Sequence, residues 1–142
     1  MPSLRLHVSC VAIKERGVLL AGAPGVGKSD VALRLIDGGA QLVADDQTEL
    51  NVVNGQLMAS PPSAIARLIE VRHVGLLRLP FCPFAPVALY VELVPDTASL
   101  ERLPETEQFL LLDQSVRQLR LSSFEASTPA KIRAALLYEL AE

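Results

Sequence analysis

Residues 22–29 read Gly22-Ala23-Pro24-Gly25-Val26-Gly27-Lys28-Ser29, which fits the pattern G-x-x-x-x-G-K-[ST]. This short run limits the fold more than any other, because it works only as the turn between a buried strand and a helix. The glycines let backbone N–H groups turn toward anionic oxygens without side chains in the way. The N-terminus of the following helix adds partial positive charge at the same place. The flanks match that requirement. Val18 to Ala21 is a short apolar strand, and Lys28 to Asp37 carries Val31, Leu33, Leu35 and Ile36 at helical spacing before Gly38-Gly39 ends the run. All eight residues are therefore candidates for holding phosphate. Lys28 supplies a mobile charge for the β- and γ-phosphates, and the Ser29 hydroxyl can ligate Mg²⁺.

A second apolar strand, Gln41 to Ala44, delivers Asp45 and Asp46. A carboxylate at such a strand end, beside a phosphate loop, is the Walker B arrangement that holds the metal. Two adjacent carboxylates allow a division of labour: one holds Mg²⁺, and the other accepts a proton from an attacking hydroxyl. Metal proximity keeps one ionised, while like-charge repulsion raises the pKa of the other. The residues alone leave open which aspartate has which role.

The rest of the chain is consistent with one mixed α/β domain over 1–142. Leu4 to Ile13 reads as a strand, Lys14 to Gly17 as a turn, and the two flanking strands as a hairpin. Thr48 to Val53 and Gln56 to Ala59 flank Asn54-Gly55, a hairpin signal. Pro61-Pro62 breaks the chain; Ala64 to Glu70 reads as a short helix or strand, and Pro80 to Pro86 as a crossing. Val87 to Val94 reads as a central strand, Pro95 to Glu107 as a loop with a helical turn, and Phe109 to Leu112 and Val116 to Leu121 as strands. Thr128 as N-cap and Pro129 at the first helical position open a C-terminal helix reaching Leu140. A parallel core with antiparallel hairpins around it is the expected sheet.

The chain has 142 residues and a formal net charge of −3, so no global field draws it to nucleic acid or an anionic membrane. No apolar run reaches the roughly 20 residues of a membrane helix. Cys10 and Cys82 fit no zinc or disulfide spacing and read as packing thiols in a reducing cytoplasm. The N-terminus has no secretory h-region.

Taken together, GAPGVGKSDVALRLIDGGAQLVADD resembles the nucleotide-binding core of HPr kinase/phosphorylase, through loop, helix and paired aspartates at the family's spacing. His7 after Leu6 falls where the family has a histidine, and Leu68-Ile69-Glu70-Val71-Arg72-His73-Val74-Gly75-Leu76 resembles a further family segment. The resemblance implies a cytoplasmic, ATP- and Mg²⁺-dependent kinase for a serine of the phosphocarrier HPr. It also implies the reverse phosphorolysis, a phosphoenolpyruvate-carboxykinase-like nucleotide end, a role in regulating the sugar phosphotransferase system, and a hexamer. On this sequence it implies Ser29, Asp45 and Glu70 at the metal, Asp46 or Asp45 as base, Arg72 on the phosphates, and His7 behind the aspartates. The chain departs from the family at Asp30 and His73, where glutamate and glycine are usual. Phe124 stands where a late arginine is expected, with Arg120 the nearby basic residue. The short chain resembles a form of the enzyme without an N-terminal domain.

Overall fold

The computed structural model describes residues 3–141. In chain order the strands are β1 (Ser3–Leu6), β2 (Ser9–Ile13), β3 (Arg16–Ala21), β4 (Gln41–Ala44), β5 (Thr48–Val53), β6 (Gln56–Ser60), β7 (Leu68–Val71), β8 (Gly75–Arg78), β9 (Ala85–Val94), β10 (Glu107–Leu111) and β11 (Gln114–Ser122). Helix α1 (Lys28–Asp37) follows β3, and α2 (Thr128–Leu137) follows β11.

Nine strands form one mixed sheet in the order β1-β5-β6-β9-β3-β2-β4, with β11 added to β9 and β10 to β11. Strand β9 is its hub. Its first residues, Ala85 and Pro86, pair antiparallel with β6; from Leu89 to Val94 it pairs parallel with β11. Along its other edge it pairs parallel with β3. Strands β3, β9 and β11 therefore point the same way, and their C-terminal ends share one edge. Strand β3 is buried on both faces, as a central strand of a covered sheet must be. Val18 and Leu20 pack with α1 residues Val31 and Leu35 and with Ile132 of α2. Leu19 and Ala21 pack on the opposite face with Cys10, Val43 and Leu50.

The apolar run from Leu4 to Ile13 is two strands, not one. Strand β1 pairs with β5, whereas β2 pairs with β3 and β4. One run serves two parts of the sheet, and the chain changes partner at the bend His7-Val8. The stretch from 63 to 79 is a 3₁₀ turn at Ser63–Ile65 followed by the two-stranded hairpin β7–β8. Strand β9 starts at Ala85, so Pro86 lies inside it, at the fork where the ladder changes partner.

Thr128 is not the N-cap of α2. Ser127 takes that place, without a side-chain cap, while the Thr128 hydroxyl donates to the Ser122 carbonyl. The helix stops at Leu137, because Tyr138 is already extended (φ −123°, ψ 147°).

Candidate functional site

The loop between β3 and α1 is held by backbone geometry that glycine alone supplies at its start. Gly22 has φ +147°, and a Cβ there would meet Val26 Cγ1 at 2.7 Å and the Leu93 carbonyl oxygen at 2.9 Å. Either contact is closer than real side chains tolerate. Gly25 and Gly27 also take positive φ, +81° and +105°. Val26 is buried and roots the loop in the core beneath α1. Its N–H donates to the Ala23 carbonyl (3.1 Å), and the Val31 N–H donates to the Gly27 carbonyl (3.0 Å), which closes the first helical turn. Lys28 opens α1 and folds back, its Nζ donating to the Gly22 carbonyl at 3.0 Å. The ammonium thus lies across the loop's own mouth.

Asp45, at the end of β4, is buried and accepts three hydrogen bonds. Its Oδ1 takes the Ser29 hydroxyl at 2.6 Å and the Ser9 hydroxyl at 3.0 Å. Its Oδ2 takes the Glu70 N–H at 3.2 Å. Asp46 differs in every respect. It is exposed, with φ +68°, and its N–H donates to the Ser9 oxygen at 3.0 Å. Ser9 thus ties the two aspartates together, accepting from one residue's backbone and donating to the other's side chain. Sequence reasoning missed it. Its only signal was a hydroxyl inside an otherwise apolar strand, SCVAI.

The other expected residues are placed unequally. His7 lies exposed in the bend between β1 and β2, two residues before Ser9, and no hydrogen bond joins it to either aspartate. Neighbouring Val8 is fixed, its carbonyl accepting from Thr48 Oγ1 at 2.8 Å. Glu70 reaches the site through its backbone, with its side chain exposed. Arg72 is exposed in the turn of the β7–β8 hairpin, so it does not share a strand face with Glu70. In the same turn His73 has φ +72°, a conformation that favours glycine. Arg120 is committed elsewhere, donating to Glu92 of β9 (2.8 Å) and Glu107 of β10 (3.2 Å). Its pairing with Glu107, then the charge of Glu92, holds its pKa above the ordinary guanidinium value. Cys10 follows Ser9 but is fully buried, and burial pushes its thiol pKa up, so it is an inert packing group.

The loop after β11 also faces the glycine turn. A Cβ on Gly27 would stand 3.3 Å from Ser123 Cβ and 3.8 Å from Phe124 Cε1. Arg34, two turns into α1, donates from Nη1 to the Glu125 carbonyl at 3.0 Å, and from Nη2 to the Ser123 carbonyl. No sequence pattern pointed to Arg34.

The donor set fits a small hard cation. Ser29 and Asp45 present a hydroxyl and a carboxylate in direct contact, oxygen ligands of the kind Mg²⁺ takes with one or two carboxylates, waters and phosphate oxygens.

Comparison with known proteins bears on this arrangement. The model of the HPr Serine kinase C-terminal domain matches residues 1–132. The chain belongs to that family. The HPr kinase/phosphorylase of Clostridium tetani is 39% identical over 79 residues, covering 56% of this chain and 26% of that protein. The HPr kinase/phosphorylase of Thermoanaerobacter sp. is 42% identical over 77 residues, covering 54% of this chain and 25% of that protein. These alignments span about a quarter of each relative. The structure of the Hpr(Ser) kinase/phosphatase from Coxiella burnetii superposes with a TM-score of 0.82 at 28% identity, covering 94% of this chain and 88% of that one. The family's mixed α/β fold is thus matched across nearly the whole chain, C-terminal helix included.

Proposed function

We propose that this family member transfers the γ-phosphoryl group of ATP to a serine hydroxyl of the phosphocarrier HPr. The observation that carries the reading is the 2.6 Å contact between Ser29 and Asp45, which joins the glycine loop to the aspartate pair in one site. The relatives' names supply the substrate. The loop amides and Lys28 would hold the β- and γ-phosphates, with Lys28 exchanging the Gly22 carbonyl for phosphate oxygen. Ser29 and Asp45 would hold Mg²⁺, with the Glu70 carboxylate alongside. The metal neutralises charge that develops on the phosphate oxygens. The nucleotide end would then resemble that of phosphoenolpyruvate carboxykinase.

In the forward direction the serine oxygen attacks phosphorus, the bond to the β–γ bridging oxygen breaks, and ADP leaves. The serine proton passes to a carboxylate. We assign that role to Asp46, because it is exposed to solvent, from which a protein hydroxyl would arrive, whereas Asp45 is buried and already engaged with Ser9, Ser29 and Glu70. His7 and Arg72 lie at the rim, where an incoming protein or phosphate would meet them. The same groups would serve the reverse reaction: inorganic phosphate attacks the phosphorus of phosphoserine, the bond from phosphorus to the serine oxygen breaks, the protonated aspartate gives its proton to that oxygen, and pyrophosphate departs as the product. A cytoplasmic setting, a role in phosphotransferase-system regulation and assembly of copies into a hexamer complete the reading.

The test is phosphotransfer from labelled ATP, with Mg²⁺, to HPr. Labelled phosphoserine is expected, and it should disappear with Lys28→Ala. Nucleotide binding without labelling would refute HPr as the substrate.

A further inference from the structure

We propose that Phe124 is the platform on which the base of the bound nucleotide stacks, and that Arg34 is the positioning residue that holds it there. This rests on the nucleotide reading of the glycine loop and adds to it the part of the site that meets the nucleoside.

The placement comes from the sheet. Strands β3, β9 and β11 run parallel, and the loops leaving their C-terminal ends share one edge. Ligands of such sheets bind outside the carboxyl ends of the strands. The loop after β3 is the glycine turn; the loop after β11 carries Phe124 beside it. The phenyl ring stands beside Gly27, the last glycine before Lys28 and Ser29, with Cε1 3.8 Å from where a Cβ on that glycine would be, yet Phe124 stays 65% exposed. A ring that stands beside the phosphate turn while most of the residue faces solvent lies where the nucleoside would leave the phosphates.

A solitary exposed phenylalanine would need no explanation on a mobile loop. This loop is fixed at every step. The Ser123 N–H donates to the Val94 carbonyl at 3.0 Å, and the Phe124 N–H donates to Ser122 Oγ at 3.3 Å. The Thr128 N–H donates to the Glu125 carbonyl at 3.3 Å, and the Thr128 hydroxyl donates to the Ser122 carbonyl. Arg34 then donates to the carbonyls on both sides of Phe124, those of Ser123 and Glu125, while its Nε holds Asp30 at 3.1 Å. Helix α1 starts at the phosphate turn and, through Arg34, also sets the height of the ring. An aromatic face fixed beforehand avoids the ordering cost of binding. Stacking recognises any base through its π-face, so the platform predicts similar affinity for ATP and GTP.

The experiment uses the full chain with Mg²⁺ and three probes: ATP, GTP and inorganic tripolyphosphate. Phe124→Ala is expected to weaken ATP and GTP about tenfold, the size of one lost base–aromatic stack, and to leave tripolyphosphate unchanged. Phe124→Tyr should restore both nucleotides. The chain has no tryptophan, so Phe124→Trp places a single reporter. Its fluorescence should be quenched by ATP and not by tripolyphosphate, and adding Arg34→Ala should abolish that quench while tripolyphosphate still binds. Unchanged ATP binding in Phe124→Ala, or equal loss of ATP and tripolyphosphate, would overturn the stacking. Loss of self-association in Phe124→Ala with nucleotide binding intact would also overturn it and assign the ring to an interface between copies. A wild-type chain that binds tripolyphosphate and ATP with equal affinity would overturn the platform alone. One that binds neither would overturn the nucleotide reading and the platform together.

Discussion

The strand ends that carry Ser9 and Asp45, with Ser29 of α1 against them, and the β7–β8 hairpin that carries Arg72 and His73 adjoin one another but are built under opposite conditions. At the strand ends Asp45 is buried and accepts three donors, and Ser9 bonds both Asp45 and the Asp46 N–H. At the hairpin, Arg72, His73, Val74 and Leu76 are all exposed, and Val74 and Leu76 remain 68% and 66% accessible. The two meet at one backbone contact, the Glu70 N–H on Asp45 Oδ2. On the proposed function, the difference separates two tasks. Charge must be fixed before the phosphates arrive, since preorganised groups stabilise transferring charge without reorganising. Recognition of a protein substrate can wait for the substrate, and exposed side chains suit it.

The comparison can be broken most sharply at the aspartates. Asp46→Asn should lower phosphotransfer by about 10²–10⁴-fold, the usual size of a lost general base, and leave Mg²⁺-dependent ATP binding intact. Asp45→Asn should weaken that binding instead. Single-turnover kinetics beside a binding titration separates the two, and the opposite pattern would exchange the roles.

Ser9→Ala comes next. It removes the oxygen that accepts the Asp46 N–H and one donor to Asp45, so a loss of about 1–3 kcal/mol in folding free energy is expected. Denaturant unfolding reads it directly; a neutral result would mean that water replaces the hydroxyl. Arg72→Ala should behave in the reverse way. Folding free energy should stay within about 0.5 kcal/mol, as for most surface substitutions. KM for HPr or ATP should rise while the fold is unchanged, and a large stability loss would show that the hairpin is structural. The smallest effect is expected at His73→Gly. Relief of the left-handed backbone is worth roughly 1 kcal/mol, but the greater freedom of glycine in the unfolded chain offsets about 0.4–1 kcal/mol of it. A Tm shift of more than a few degrees either way would contradict that balance.

The same contrast governs how much could be read from the sequence. The turn at 22–27, the helix behind it and the strand ending at Asp45 lie within one contiguous stretch, and each carries its own local signal. The hairpin turns show where such signals fail. Asn54 and Gly55 both take positive φ, as a two-residue turn between antiparallel strands demands, and their identities announce it. Lys14-Glu15 and Leu112-Asp113 adopt the same positive-φ pair between β2 and β3 and between β10 and β11. The turn expected from Lys14 to Gly17 is there, but the identities of neither pair announce this turn type, because pairing across the strands imposes the conformation. The break at His7 is invisible for a similar reason: only the positions of β5 and β4 require it. Ser9 and Arg34 act on residues 36 to 91 positions away, and no local pattern encodes that.

The reach of Arg34 also bears on the order in which the protein is made. Helix α1 leaves the ribosome well before the carbonyls it must grasp, at Ser123 and Glu125, which follow 89 and 91 positions after Arg34. A nascent chain can therefore form the turn, the helix and the aspartate strand long before anything stands against Gly27. Contacts this distant in sequence close late and slowly. The glycine turn would gain this neighbour only after β11 has been made, so a chain cut short after β10 would carry the phosphate motif intact yet lack one side of its site.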